Sequence, residues 1–271
     1  MLPQSLQKDP YIDISVITEM TDAGKKLPLP TAAKPISYHL QSTGRHDFGA
    51  KTAIKHPLPE EKVSRLLTKA LDAAGYSLLD PKQRPSVAIF YSWGLHSDLP
   101  KNDSAALVQM NLLDRARLVG GDGFARTMRE LFRQANDQES ALASATSGLE
   151  KPPMIGLLNP VALYSHRSLK NGFLVDQFSD ELYYVMVSAY DYLELMQKNR
   201  VLLWRTTMTV SARGMNEEQT YSPMLTTAAE YLGKEMPEAM IFTKRSVPRG
   251  QIEIGAPTIV EPPAKPKAEK K

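Results

Sequence analysis

The chain contains no cysteine. That excludes disulfides, thiolate metal ligands and a cysteine nucleophile, and it suits an oxidising envelope and the cytosol equally. No apolar run approaches the roughly 20 residues needed to cross a bilayer. The first ten residues, MLPQSLQKDP, lack the apolar core of a signal peptide, so an exported protein of this sequence is expected to have had its signal removed. Neither sign of charge dominates: 33 Lys and Arg stand against 30 Asp and Glu, a net charge of +3. That is too little for an electrostatic footprint on nucleic acid, and no specific nucleic-acid partner is expected. The Gly-x-Ser-x-Gly pattern of the nucleophile elbow is missing. The five histidines, at 39, 46, 56, 96 and 166, never stand four residues apart as helical metal ligands do. His39 and His46 could meet only across a turn, with Asp47 adding a carboxylate, and exposed or hydrogen-bonded histidines are the simpler reading. Neither a metal nor a cofactor is expected.

What is present is ordinary globular composition, 42% hydrophobic and 23% charged over 271 residues. The 20 prolines concentrate at the ends and between apolar segments, where a missing N–H does least harm. Alternation predicts short strands at Tyr11 to Val16 and at Ile36 to Leu40, the latter followed by the turn-rich STGRHDFG. A helix is expected from Pro59, with Glu60 and Glu61 in its first turn and Val63, Leu66, Leu67, Ala70 and Leu71 on one face. SVAIFYSW then has the β-branched and aromatic content of a buried strand. Two helical patterns, Ala105 to Val119 and Phe124 to Gln134, are separated by GGDG, and the small-residue stretch QESALASATSG predicts a loop or frayed helix.

Leu182 to Leu193 and Val201 to Ala212 predict an antiparallel hairpin. In its second strand Leu202, Trp204, Thr206, Met208 and Val210 alternate inward, which leaves Leu203, Arg205, Thr207 and Thr209 on a largely wet face. Ser222 and Pro223 are expected to cap and start a helix. Short strands at Ala239 to Thr243 and Gln251 to Ile254 would close the sheet. The fold class is therefore α+β, a mixed or antiparallel sheet with helices packed mainly on one face. An extended segment 1–35 precedes a single domain 36–260, with a possible helical insertion at 103–150. The tail 261–271, rich in Lys and Pro and without large apolar side chains, is expected to be disordered, a solvated segment rather than a polybasic arm.

The short stretch with most chemistry is YSWGLHSD, at the end of the predicted strand. Trp93 and His96 are binding candidates, and His96, Ser97 and Asp98 are catalytic candidates for a hydrolase. The simpler reading has Trp93 capping the core, since residues adjacent in sequence do not by themselves form a triad. Gly120, Gly121 and Gly123 could cradle a phosphate, but they follow a helical pattern instead of a strand, which favours a helix-to-helix turn. Tyr183, Tyr184, Tyr190 and Tyr192 crowd one strand and fall on both of its faces. Tyr183 and Tyr192 are further binding candidates, set against use of these rings in the core and its rim.

The helix EEKVSRLLTKALDAAGY before SVAIFYSWG, and the strand RVLLWRTTMTVSARG before MLTTAAEYLGKEMP, cover about half the chain. In this order they resemble envelope proteins of verrucomicrobial type and, at greater distance, small bacterial lipoprotein domains. In those domains a helix–strand unit precedes a hairpin carrying a Leu-Trp pair. The resemblance implies α+β packing and export to the periplasm or outer membrane. It implies no known activity or catalytic residue, and the absence of a lipid-accepting cysteine leaves anchoring without support. The expectation is a non-enzymatic cell-envelope protein with a binding or assembly role, whose partner is another envelope protein or a cell-wall component. The alternatives are a hydrolase with its site near Trp93 to Asp98, and a cytoplasmic location.

Overall fold

The computed structural model describes residues 11–31, 33–49, 57–79, 84–100, 103–145 and 159–245. Among the described residues seven strands form one mixed sheet: β1 (Tyr11–Met20), β2 (Ile36–Arg45), β3 (Tyr76–Leu78), β4 (Val87–His96), β5 (Leu182–Asp191), β6 (Leu202–Ser211) and β7 (Met240–Arg245). Their order is β3-β2-β4-β5-β6-β1-β7. β2 runs parallel to β3 and β4, and every other pairing is antiparallel. Six helices accompany them among the described residues: α1 (Glu60–Ala73), α2 (Ala105–Ala145), α3 (Pro160–Ser165), α4 (Leu169–Ser179), α5 (Tyr192–Met196) and α6 (Glu217–Ala228). The class is α+β, as the pattern of elements predicts.

The expected hairpin is present as β5 and β6. Between them Asp191 stops β5 by accepting the Glu194 N–H at 3.0 Å, which starts α5. β1 lies between β6 and β7, so the segment set apart as 1–35 contributes a strand to the sheet and the domain begins ahead of residue 36. In α2 the two predicted helical patterns run on with one interruption. Gly121 has φ 74° and ψ −170°, outside helical space and open to glycine at little cost. The second half continues past Gln134 to Ala145, so QESALASA is helical.

Three expectations need correction. α6 begins at Glu217, not at Ser222. Asn216 accepts the Gln219 N–H at 2.9 Å, and Glu217 and Glu218 fill the first turn, leaving Pro223 inside the helix. A cap with two acids at the positive helix start outweighs the single backbone bond that proline removes. α3 and α4, capped by Asn159 and Ser168, and the short strand β3 were not anticipated. Helices also cover both faces of the sheet, not mainly one. On one face Thr18 and Thr206 bond at 2.7 Å, and Thr18 donates to Tyr231 O beside α6. Trp204, Met208 and Val210 are buried on that side. On the other, Ser15 donates to Val119 O of α2 at 2.7 Å, and Gln177 of α4 donates to Asp13 O and Thr209 O. Thr207 and Thr209, expected to be wet, are therefore buried. The Thr209 hydroxyl donates to Gln177 Oε1 at 3.4 Å, as buried polar groups generally find partners. The strand expected at Gln251 to Ile254, His56 and the tail 261–271 lie outside the described residues.

Candidate ligand-binding site

The second face of the sheet is not covered evenly. α2 packs on β1, β6 and part of β5, while the half of the face toward α5 holds a cavity of about 360 Å³. Strand register assembles it. Phe90 of β4, Ser188 of β5, Arg205 of β6 and Glu19 of β1 are successive cross-strand neighbours in one row. Ser92, Met186 and Thr207 form the next row. Directly opposed residues share a face, so Phe90, Ser92, Met186, Ser188 and Arg205 line a common surface, to which Tyr190, Leu195 and Arg200 add walls. Phe90 and Tyr190 meet edge to face, with centroids 5.6 Å apart and planes at 83°.

Electrostatics give the cavity a sign. Arg200 and Arg205 line it, and among the described residues no carboxylate does. Arg205 Nε donates to Ser188 Oγ at 3.3 Å. Glu19, beside Arg205 in register, spends Oε1 on the Asp122 N–H at 2.7 Å, where α2 resumes after Gly121. Burial pushes the Glu19 carboxyl above its ordinary range, against the pull of that N–H. The glycine-rich turn considered as a phosphate cradle thus has a helix-start amide already occupied by the protein's own carboxylate.

The residues singled out from sequence lie elsewhere. β4 extends to His96, so Trp93, His96 and Ser97 are all buried. Trp93 stacks on Tyr91 at 5.6 Å, on the face toward α6. Gly94 permits the close approach of the chain just past β2, because a Cβ there would lie 2.0 Å from His46 O. Ser97 Oγ donates to Phe48 O at 3.0 Å. His96 lies against the Phe48 ring at 5.3 Å, and burial together with nearby Arg115 pushes its imidazole down to about 4. Asp98 is exposed and pairs with Arg115, whose guanidinium also reaches Asp180 O and Asn111. The geometry accordingly gives His96, Ser97 and Asp98 structural partners in place of a triad. Tyr183 is buried with its ring 6.0 Å from Tyr221, whereas Tyr192 is half-buried at the start of α5. Asp47, weighed as a metal ligand, is held by Arg45 Nε and the Leu95 N–H, each at 2.8 Å. Among the described residues no group of three or more His, Asp or Glu side chains could hold a metal ion, and no helix is long and apolar enough to cross a membrane.

Arg200, Arg205, Ser188, Phe90 and Leu195 were missed as a site because they come from separate segments. The one available signal was Arg205, an arginine alternating out of a hydrophobic strand. The chain matches no protein-family model and no curated protein.

Proposed function

We propose that the protein is a non-enzymatic binding protein of the cell envelope that takes a small ligand in the cavity on the open half of its sheet. The observation that carries the binding reading is the cavity itself: about 360 Å³, with Phe90, Met186, Tyr190 and Leu195 as apolar walls and a few convergent polar groups. Size and composition of this kind characterise sites for small molecules. Catalysis near Trp93 to Asp98 lacks comparable support, because Ser97 and His96 are buried and their neighbours are structural. The envelope location rests on the sequence resemblance. Within it, a cell-wall component fits the cavity better than another envelope protein, whose contact surface would be far larger.

The test uses the uncharged fluorophore N-phenyl-1-naphthylamine, which emits strongly only in apolar surroundings. The wild type is expected to bind it saturably, and Met186→Trp, which fills the cavity floor, is expected to abolish binding while retaining a cooperative urea transition. Equal binding by both proteins would overturn the assignment of the site. The location is tested separately by fractionating cells that produce the natural full-length protein: retention with the cytosolic marker after periplasmic release overturns the envelope reading.

A further inference from the structure

Resting on the reading of the cavity as a ligand site, we infer that its ligand is a small organic anion: one carboxylate, sulfonate or phosphate group on an apolar or aromatic body. Charge carries the first half of the argument. Two guanidinium groups line the cavity, and among the described residues no acidic side chain joins them. Arg205 uses Nε on Ser188, and among the described residues its two Nη groups make no ion pair. Glu19, the neighbouring carboxylate in the same row, is held at the Asp122 N–H and does not line the cavity. A guanidinium presents parallel donors that match a planar or tetrahedral oxyanion, and such charge-assisted bonds are stronger than neutral ones. Ser188 accepts from Arg205, so its hydroxyl keeps its own proton to donate, and Ser92 stands one row away on the same floor.

Shape carries the second half. The edge-to-face pair of Phe90 and Tyr190, with Met186 and Leu195, offers a ring or short chain an apolar surface beside the charged end. An inorganic anion would leave those walls wet, and a neutral apolar ligand would leave Arg205 desolvated without a partner, which is unfavourable for a charge. The volume is at the lower end of the small-molecule range, which favours a compact ligand with one acidic group.

The experiment compares 1-anilinonaphthalene-8-sulfonate with N-phenyl-1-naphthylamine, which shares its aromatic framework and lacks the sulfonate. The sulfonate is expected to bind roughly tenfold tighter or better, the scale of one hydrogen bond to a charged group. Arg205→Met and Arg200→Met should erase that preference by weakening the sulfonate, with the neutral probe bound at least as tightly as by the wild type and the urea midpoint close to it. Met186→Trp should abolish both. If both probes bind equally, the arginine variants change neither, and Met186→Trp abolishes both, the anion inference is overturned and the cavity reading stands. If neither probe binds, or Met186→Trp has no effect on binding, both fall.

Discussion

His96 should make stability depend on pH in a window where few other groups titrate. The imidazole is 3% exposed. Burial is the larger reason its pKa lies down at about 4, and the positive charge of Arg115 adds to it, while Asp98 pulls the other way from an exposed position. In the unfolded chain the same ring titrates near its ordinary value of about 6.5. Between these values the unfolded state binds a proton that the folded state refuses, so the stabilisation is complete above pH 6.5 and is lost as pH falls toward 4. The loss reaches about 2 kcal/mol at pH 5 and approaches a limit of about 3 kcal/mol below pH 4. Urea titrations at pH 7.5 and pH 5.0 measure it, with His96→Gln as the comparison. That variant loses the contact with Phe48 and starts less stable, so the pH difference is the quantity to read, not the absolute midpoint. Glu19, whose carboxyl is pushed up by burial, contributes with the opposite sign, but it does so equally in both proteins and cancels. If the wild type loses no more stability than His96→Gln between the two pH values, His96 is not a buried neutral base and the account of the β4 terminus is wrong.

Two mutational comparisons probe the core and its ionic contacts. Trp204 is buried against Tyr76, with ring centroids 5.8 Å apart, so Trp204→Ala should cost about 3–5 kcal/mol. Arg205→Ala, one residue along and facing the cavity, should stay within about 0.5 kcal/mol; denaturant midpoints for the pair decide, and the reverse ranking would show the strand faces misassigned. Glu217 is 3% exposed in the first turn of α6, with one oxygen 2.7 Å from Arg45 Nη1 and the other accepting the Leu58 N–H. Glu217→Ala should therefore lose about 3–5 kcal/mol, the range for stranding one partner of a buried pair, and a denaturant midpoint close to wild type would show that Arg45 finds adequate partners in Asp47 and water.

How much of this was legible in the sequence depends on the range of the interaction concerned. Strands β4, β5 and β6 and helix α1 announce themselves because their apolar residues recur at the spacing of a single element, and Trp204 follows from alternation within one strand. The covering of the second face does not. Ser15, Thr209 and Gln177 look like surface residues, and only tertiary partners such as Val119 O and Asp13 O make their burial affordable. The same limit hides the cavity. Phe90, Ser188 and Arg205 are neighbours because three strands align in one register, and no spacing along the chain encodes that row. YSWGLHSD drew attention instead because its polar residues are adjacent in sequence, yet adjacency at the end of a strand sends alternate side chains to opposite faces. The trace that was legible is Arg205 itself. Its neighbours on the same face, Leu203 and Thr207, carry no acid, so a charge set in such a strand must be answered by another strand, by solvent or by a ligand. The adjacent strands supply one serine hydroxyl and a glutamate held elsewhere, and what remains of the guanidinium faces the cavity.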